Sequence, residues 1–410
     1  MHTTRIPEPR HAILLKYART LALTFFFAPS VFAQSSEVAQ LLTTVSLDSL
    51  QKNVRILTGQ EPAVTPDSTF WITTRWYNDN ESALQFVKYT LERHGYPTTL
   101  QSFDQGTNVL ATRPGTTEAD RHVLICAHYD AVAGTPGADD NASGTAAVLE
   151  AARVLGPYTT GKTVTFALWD AEEIGLFGSA HYARDAAGVG KQIDAVINLD
   201  MVGWDGDGDR VVEVHTDALS ASLADAVVGY AQAYSINVTP VPQNPGTGAS
   251  DHASFWRSGY QAVLLIEEYY GADFNPYYHQ PTDSLLHFNP GYYEEAAKLG
   301  IAATADLAGI TEISTDLSPR PTERTPPGME VYPSPFGTDV TIRYGVNVDG
   351  PATVVAFDLL GRTVAVLVDE WRNSGTHTTE WEAGHLPPGI YILRLKTGDS
   401  TALLPVVRSN

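Results

Sequence analysis

The chain has 410 residues, 43% of them hydrophobic and 18% charged, which excludes a wholly disordered protein and favours two or three folded domains. Acidic residues outnumber basic residues by 47 to 26, so the formal net charge is −21. A surface of that charge repels phosphate backbones, and we therefore expect no nucleic acid partner.

The first 33 residues predict a secretory signal peptide. Three basic residues, Arg10, Lys16 and Arg19, precede an apolar run at 21–28, and Val31-Phe32-Ala33 provides the −3 to −1 positions of a cleavage site. The apolar run is shorter than the roughly 20 residues that span a bilayer, and no later segment reaches that length. We expect a secreted protein, extracellular or on the cell surface, with no membrane span.

Cys126 is the single cysteine of the chain, which excludes an intrachain disulfide. It lies in the apolar run 123–127, so a buried structural thiol is favoured over the nucleophile of a cysteine protease.

After the signal peptide, helical and strand patterns alternate along the chain. Helices are predicted within 34–66 and at 80–94, 142–155, 175–186, 219–234 and 291–310. Strands are predicted at 97–103, 108–112, 122–127, 163–169, 194–199, 211–215 and 261–266. This alternation predicts an α/β fold with a mostly parallel central sheet and helices on both of its faces, extending over 34–312.

Residues 313–328 contain four prolines and no apolar periodicity, which predicts a linker. Beyond the linker, short runs with strand character occur at 340–344, 352–358, 363–368, 376–381, 389–395 and 401–407. Gly, Pro, Asn and Asp separate these runs. The pattern predicts a small C-terminal β-sandwich at 329–410.

Acidic and histidine side chains follow the carboxyl ends of several predicted strands. They are His128 and Asp130 after 122–127, Asp139 and Asp140 in the loop before the helix at 142–155, Glu172 and Glu173 after 163–169, and Asp200 after 194–199. Because the carboxyl ends of parallel strands face one crevice in an open α/β sheet, we expect these groups to meet there.

So many carboxylates in one crevice require cations, because burial and neighbouring like charges both raise the free energy of the ionised groups. Histidine and carboxylate ligands without thiolate favour zinc, for which manganese or cobalt could substitute. The acids exceed what one tetrahedral ion accepts, so two metals that share a bridging aspartate are favoured over one.

Six motifs stand in a fixed order along the chain. They are Ala127-His128-Tyr129-Asp130, Gly137-Ala138-Asp139-Asp140-Asn141-Ala142-Ser143-Gly144, Asp170-Ala171-Glu172-Glu173-Ile174-Gly175-Leu176-Phe177-Gly178-Ser179, Asn198-Leu199-Asp200-Met201, Ser250-Asp251-His252 and Asn275-Pro276-Tyr277-Tyr278-His279. Together they resemble the co-catalytic dizinc aminopeptidases of the bacterial leucyl aminopeptidase type, over about residues 45–312.

The resemblance implies two zinc ions per chain and assigns their ligands. Asp140 would bridge the two ions, His128 and Asp200 would complete one site, and Glu173 and His279 would complete the other. His279 is named by the resemblance alone. The implied substrates are peptides, which would lose N-terminal, apolar residues.

Two further roles follow from the same resemblance. Glu172 would be the general base that accepts the proton of the attacking water and passes it to the leaving amine. Asp130 would accept a hydrogen bond from the far nitrogen of His128 and so fix the tautomer of that imidazole.

Substrate specificity is expected to depend on a loop at 243–250. Some members of the family carry a disulfide near this segment, which the single cysteine excludes here. By similarity, Leu264, Ile266 and Tyr270 are candidates for an apolar pocket that receives the first residue of the substrate.

Other polar residues are expected to be structural. The run Asp205-Gly206-Asp207-Gly208-Asp209 lacks the glycine and the terminal glutamate of an EF-hand, which favours an acidic turn over a calcium site. Five further histidines are expected to be structural or exposed, namely His122, His181, His215, His252 and His287.

Three alternatives to an aminopeptidase stay open. A glutaminyl cyclase of related fold would use one zinc, held by Asp140, Glu173 and His279. A carboxypeptidase of the same clan would need a cation for the substrate carboxylate, for which Arg153, Arg184, Arg210 and Arg257 are candidates. A surface or adhesion protein would depend on the C-terminal sandwich and need no catalysis.

The last 80 or so residues carry a second likeness. The segments Val331-Tyr332-Pro333-Ser334-Pro335-Phe336, Phe357-Asp358-Leu359-Leu360-Gly361-Arg362 and Pro388-Gly389-Ile390-Tyr391-Ile392-Leu393-Arg394-Leu395 resemble the sorting domain of the type IX secretion system. This likeness implies the secretion machinery as a partner. The ending departs from the usual basic pattern, since only Arg408 is basic there, and a carbohydrate- or partner-binding sandwich is the alternative.

Overall fold

The computed structural model describes residues 34–66, 68–312, 329–333, 335–346, 349–358, 362–397 and 400–409. The predicted signal peptide at 1–33 and the predicted linker at 313–328 lie outside the described residues. The chain divides into two compact units, one up to residue 314 and the other from residue 315. No helix in the described part of the chain is long and apolar enough to cross a membrane.

The first unit contains eight α-helices in its described residues, and the last of them shows ordinary capping at both ends. The helices are α1 (Ser36–Leu42), α2 (Leu47–Leu57), α3 (Glu81–Arg93), α4 (Gly144–Leu155), α5 (Phe177–Gly188), α6 (Ala221–Ala233), α7 (His252–Arg257) and α8 (Pro290–Ala308). At the start of α8, the Asn289 side chain accepts the N–H of Tyr292, and Pro290 occupies the first helical position. The same helix ends at Gly309, whose φ of 64° is left-handed.

The strands of the first unit are numbered in chain order. They are β1 (Ala63–Val64), β2 (Thr69–Phe70), β3 (Thr98–Phe103), β4 (Gly106–Arg113), β5 (Glu118–His128), β6 (Tyr158–Thr160), β7 (Lys162–Trp169), β8 (Gln192–Leu199), β9 (Val211–His215), β10 (Thr239–Gln243), β11 (Ala262–Ile266) and β12 (Ile310–Glu312). Eight of them form the central sheet in the order β10-β9-β11-β8-β5-β7-β4-β3.

The central sheet is mixed, and its parallel part is in the middle. Strands β11, β8, β5 and β7 are parallel neighbours, and β9 and β10 form a second parallel pair. The pairs β9–β11, β4–β7 and β3–β4 are antiparallel. The strands that precede the predicted site, β8, β5 and β7, are therefore adjacent, and their carboxyl ends lie at one edge of the sheet.

Helices cover both faces of this sheet, which confirms the predicted α/β class. Along β5, Val123, Ile125 and Ala127 belong to a core cluster with α4 and α8, whereas Leu124 and Cys126 belong to a cluster with α5 and α7. Cys126 is fully buried and forms no disulfide bond. Each Val, Leu or Ile side chain buried in this way contributes about 1.5–3 kcal/mol of hydrophobic stabilisation.

The second unit consists of strands β13 (Met329–Tyr332), β14 (Asp339–Val346), β15 (Gly350–Phe357), β16 (Thr363–Arg372), β17 (Gly375–Glu382), β18 (Gly389–Thr397) and β19 (Ser400–Arg408). They form two antiparallel sheets, β13-β14-β17 and β16-β15-β18-β19. Ile342 and Trp381 from one sheet share a buried cluster with Ala356 and Leu393 from the other. The small β-sandwich predicted from the alternating pattern is therefore present.

Candidate metal centre

His128 is the last residue of β5, and its imidazole is buried beneath two carboxylates. Its Nε2 lies 3.3 Å from Oδ1 of Asp140 and 3.3 Å from Oδ1 of Asp200. On the other side of the ring, Nδ1 lies 3.4 Å from Oδ1 of Asp130. The structure thus brings together the three residues of the first predicted metal site and places Asp130 behind the imidazole.

Asp130 also holds the segment that follows β7. Its carboxylate accepts the backbone N–H groups of Glu172 at 3.2 Å and Glu173 at 3.3 Å. One buried aspartate therefore links the end of β5 to the end of β7, which fixes the two glutamates relative to His128.

Asp140 lies in an irregular turn, Ala138–Ser143, that leads into α4. The peptide bond between Asp140 and Asn141 is cis. The Asn141 side chain donates to the carbonyl oxygen of Leu199 at 3.0 Å and accepts the N–H of Gly144 at 2.8 Å. These bonds attach the turn to the end of β8, beside Asp200.

A second group of ligand-type atoms shares Asp140 with the first. Nε2 of His279 lies 3.0 Å from Oδ2 of Asp140 and 3.1 Å from Oε2 of Glu173. In each of the groups His128–Asp140–Asp200 and Asp140–Glu173–His279, one ligand atom per residue lies within 4.8 Å of the others. All five residues predicted as ligands are therefore gathered into two triads with Asp140 in common, and their role as ligands remains a proposal.

The histidines and carboxylates of these triads perturb each other's pKa values. Burial opposes it, but the nearby imidazoles of His128 and His279 lower the pKa of Asp140. Hydrogen bonds to Asp140 and Glu173 raise the pKa of His279 to about 10. Burial lowers the pKa of His128, but the negative charges of Asp200 and other acids outweigh it and raise that pKa. The pocket therefore attracts positive charge strongly.

Glu172 follows β7 and is 9% exposed. Burial raises the pKa of its carboxyl group well above the ordinary value, the charge of His128 opposes that rise, and the charges of Asp251 and Asp200 add to it. Burial and Asp140 also raise the pKa of Glu173, to about 7. Glu173 belongs to one of the triads and Glu172 to neither, so the two adjacent glutamates occupy different positions in the site.

A small cavity opens onto the two triads. It is lined by Asp140, Glu172, Glu173, Asp200, Met201, Thr247, Ala249, Ser250, Leu264, Ile266, Tyr269, Tyr278 and His279. Met201, Leu264 and Ile266 form a buried apolar cluster, against which Tyr269 and Tyr278 pack. The same cavity is therefore lined both by an apolar wall, formed by this cluster, and by the charged residues of the triads.

Of the three candidates for the apolar pocket, Leu264 and Ile266 line this cavity, whereas Tyr270 is absent from its lining. Tyr269 lines the cavity instead. Tyr270 is 52% exposed, and its ring packs edge-on against His215 at 4.9 Å. The two tyrosines lie in an irregular loop, where sequence position alone does not fix which side chain points inward. The predicted loop 243–250 does contribute to the cavity, through Thr247, Ala249 and Ser250.

Sequence reasoning missed Asp283, which supports the turn that carries Asp140. The Asp283 carboxylate accepts the backbone N–H of Asp139 at 2.9 and 3.1 Å and that of Asp140 at 3.2 Å. The side chain of Arg75 also binds next to this turn, where it donates hydrogen bonds to the carbonyl oxygens of Pro136 and Gly137. The only sequence signal for Asp283 is its position four residues after His279.

The acidic turn at 205–209 and the five other histidines named from the sequence belong to neither triad. Asp205, Asp207 and Asp209 approach one another. Asp207 accepts the N–H of Asp209, and Asp209 accepts the N–H of Val211 at the start of β9. Within the described residues, no metal-binding group includes any of the five histidines that we expected to be structural or exposed. His215 and His252 are fully buried, and the ring of His287 stacks on Tyr277 at 3.6 Å.

Two separate parts of this chain match known families. Residues 108–304 match peptidase family M28, and residues 330–406 match the secretion system C-terminal sorting domain. A probable leucine aminopeptidase of Trichophyton verrucosum is 27% identical over 68% of this chain and 78% of its own length.

Solved structures share the fold of the first unit. LapA of Legionella pneumophila, described as an aminopeptidase, is 25% identical with a TM-score of 0.60, over 68% of this chain and 77% of its own. A glutaminyl cyclase of Bacteroides thetaiotaomicron is 19% identical with a TM-score of 0.52, over 63% of this chain and 97% of its own. At that identity the second likeness concerns the fold alone, so the two activities must be separated by the site.

Proposed function

We propose that this chain, which carries a peptidase family M28 domain at residues 108–304 and a secretion system C-terminal sorting domain at residues 330–406, is a secreted aminopeptidase that uses two zinc ions. One observation carries the proposal. Two triads of ligand-type atoms meet at Asp140, on the edge of a cavity with an apolar wall.

The donor atoms of the site fit zinc. Nε2 of His128 and Oδ1 of Asp200 are buried and have no hydrogen-bond partner, which is costly for polar atoms unless a cation satisfies them. Imidazole and carboxylate donors in groups of three suit a four-coordinate ion that keeps one position open. His128 and Asp200 would hold one ion, Glu173 and His279 would hold the other, and Asp140 would contact both.

In the proposed reaction, the protein residues orient the reactants and carry the proton. Zinc bound at the two triads would supply Lewis-acid polarisation of the scissile carbonyl and lower the pKa of water. Glu172 accepts the proton of the attacking water on its carboxylate and delivers it to the leaving amine. Burial supports this role, because it raises the pKa of Glu172 and makes the carboxylate a stronger base. Asp130 keeps the imidazole of His128 in position.

The cavity supports a preference for apolar N-terminal residues. Its apolar wall, Met201, Leu264 and Ile266, is continuous and buried, and the rings of Tyr269 and Tyr278 extend it. Burial of an aliphatic side chain there would favour binding by about 1.5–3 kcal/mol. A charged side chain in the same place would lose its hydration without a partner.

Two alternatives are less well supported by this site. A single-zinc glutaminyl cyclase would need only Asp140, Glu173 and His279, and would leave the buried donor atoms of His128 and Asp200 without a partner. A carboxypeptidase would need a cation in the cavity, but Arg153, Arg184, Arg210 and Arg257 are absent from the described lining.

The sorting domain supports export of the protein. Together with the predicted signal peptide at 1–33, it favours a location outside the cell or on its surface, with the secretion machinery as the partner of the second unit.

The test is to measure metal content and hydrolysis on one purified sample. We expect two zinc ions per chain and release of nitroaniline from leucine p-nitroanilide, lost on chelation and recovered when zinc is restored. One zinc per chain, no hydrolysis and cyclisation of an N-terminal glutamine peptide would replace the proposal with a cyclase. No bound metal and no activity would remove it altogether.

A further inference from the structure

Two ionisable side chains are buried together on β9, outside the metal triads. Glu213 is 2% exposed and His215 is fully buried. Nε2 of His215 lies 2.7 Å from Oε2 of Glu213. We call these two residues the β9 dyad. Buried ionisable groups are retained only where their hydrogen bonds are satisfied, so the partners of the dyad indicate its purpose.

The first partner is Thr247, which lines the cavity. The backbone N–H of Thr247 donates to Nδ1 of His215 at 2.9 Å. Nδ1 is therefore unprotonated, and Nε2 carries the hydrogen that is donated to Glu213. On its other side, the carbonyl oxygen of Thr247 accepts a 2.8 Å hydrogen bond from Nε2 of buried His252. Two buried imidazoles thus hold both backbone polar groups of one cavity residue.

The second partner is the loop that carries Tyr269, another residue of the cavity lining. Both carboxylate oxygens of Glu213 accept the backbone N–H of Tyr270 at 3.1 Å. Tyr269, the preceding residue, lines the cavity, and the His215 ring contacts both tyrosine rings, at 6.0 and 4.9 Å. Gln243 also donates to Glu213 at 3.1 Å, at the start of the Thr247 loop.

Close packing supports these hydrogen bonds. A Cβ atom at Gly246 would lie 2.7 Å from Cβ of His215, so the Thr247 loop sits directly against β9. With Cys126 as the only cysteine, no intrachain disulfide can tie this loop down. The position of Thr247 therefore depends on the two imidazoles, on this contact and on the 2.8 Å hydrogen bond from the N–H of Gly246 to the carbonyl oxygen of Thr216.

We infer that Glu213 and His215 are positioning residues that set the distance between the Thr247 wall and the Tyr269 wall, and thereby select the N-terminal side chain of the substrate. The inference rests on the proposed aminopeptidase function. Neither residue of the dyad belongs to a triad, so we expect it to act on substrate fit and not on metal binding.

The variants separate the hydrogen bond from the bulk of the ring. His215→Leu removes the acceptor for Thr247 and the donor to Glu213. His215→Asn keeps an acceptor close to the position of Nδ1. Glu213→Gln keeps an oxygen for the N–H of Tyr270 but loses the negative charge. His122→Leu, on β5 and away from the cavity, is the control for loss of a half-buried histidine.

Two measurements are made on the zinc-loaded full chain. The first is the ratio of kcat/KM for leucine p-nitroanilide to kcat/KM for the alanine and phenylalanine analogues. We expect His215→Leu to change at least one ratio about tenfold or more, mainly through KM, with the zinc content unchanged. His215→Asn should bring the ratio back towards that of the parent, and His122→Leu should leave it unchanged.

The second measurement needs no activity. Hydrogen exchange of the amides of Thr247 and Tyr270 should accelerate in His215→Leu and Glu213→Gln respectively, and stay slow in the control. Unchanged exchange in both variants would overturn the inference, as would an equal loss of kcat for every substrate with all ratios preserved. If the parent hydrolyses no aminoacyl anilide, the proposed function fails, and the exchange measurement alone decides whether the dyad holds the two walls.

Discussion

The hydroxyl of Ser250 donates a 2.6 Å hydrogen bond to Oδ2 of Asp200, which leaves only Oδ1 of that carboxylate facing Nε2 of His128, at 3.3 Å. Ser250 in turn accepts a 2.8 Å hydrogen bond from the side chain of Asn198. The thiol of Cys126 lies 3.4 Å from the carbonyl oxygen of that side chain. A buried chain of polar groups thus fixes the orientation of Asp200 and presents one oxygen to the first triad.

Ser250→Ala should therefore weaken metal binding at the first triad. Without the hydroxyl, Asp200 loses the group that orients it, and loss of such a supporting hydrogen bond costs about 10- to 100-fold in metal affinity. Titration of bound zinc against a competing chelator measures the change. The matched control is Ser258→Ala at the end of α7, whose hydroxyl donates to the carbonyl oxygen of Ser254. Equal zinc affinity in Ser250→Ala and the control would show that Ser250 does not orient a ligand.

Glu172→Gln and Glu173→Gln should fail in different ways although the residues are adjacent. Glu172 lies outside both triads, so its amide variant should keep the zinc content and lose kcat by about 10²–10⁴-fold, the usual contribution of a general base. Glu173 belongs to the second triad with Asp140 and His279, so its variant should lose zinc.

Zinc content and kcat, measured on the same preparations, separate the two effects. Loss of zinc in Glu172→Gln would make Glu172 a ligand. Full activity of that variant would remove it from the chemistry.

Much of this site could be predicted from the sequence, because the end of an apolar run marks the end of a buried strand. His128, Asp200 and the two glutamates each follow an apolar run, and adjacent parallel strands bring such positions to one edge. His279 has no such signal. It follows an irregular loop and has a φ of 57°, so only the family likeness identified it.

The parts that could not be predicted lack a regular pattern. Strand β10, Thr239–Gln243, contains Pro240 and Pro242, which the sequence rules exclude from a central strand, and β10 is indeed at the sheet edge. Helix α7 has six residues, too few to show periodicity. The antiparallel pairs within the central sheet could not be predicted either. A strand that is buried on both faces is a continuous apolar run, whether its neighbours are parallel or antiparallel to it.

The metal-free protein should lose stability as the pH rises from about 4 to about 7. Asp251 is fully buried, and burial raises the pKa of its carboxyl group from 3.8 to about 7. A carboxyl group with a higher pKa in the folded state binds a proton that the unfolded chain has released, so the free energy of unfolding falls as the pH passes through this window. One such proton changes that free energy by at most about 1.4 kcal/mol per pH unit.

Denaturant unfolding of the chelated protein at pH 4.5, 6 and 7.5 measures this dependence. Asp251→Asn should reduce the slope of the free energy of unfolding against pH by an amount that corresponds to at most one proton. Asp225→Asn, at an exposed position on α6, should have the same slope as the parent protein. An unchanged slope in Asp251→Asn would show that this carboxyl group is not protonated in the folded protein.

Asp283→Asn should disturb the metal centre without changing any ligand. The carboxylate of Asp283 accepts the N–H groups of Asp139 and Asp140, whereas asparagine would turn one acceptor oxygen into an N–H donor facing them. A buried N–H left without an acceptor costs about 1–3 kcal/mol, and here the cost falls on the turn that positions Asp140. We expect lower zinc affinity together with a lower midpoint of unfolding.

Asp273→Asn is the matched control for Asp283→Asn, because Asp273 also accepts two successive N–H groups, from Gly206 and Asp207, but on a surface turn. Zinc affinity should be normal in this control. If Asp283→Asn lowers the stability of the metal-free protein and leaves zinc affinity unchanged, Asp283 stabilises the fold and does not set the position of Asp140. If both fall together and the control changes neither, the backbone of the Asp140 turn is as much a part of the metal centre as the side chains that face it.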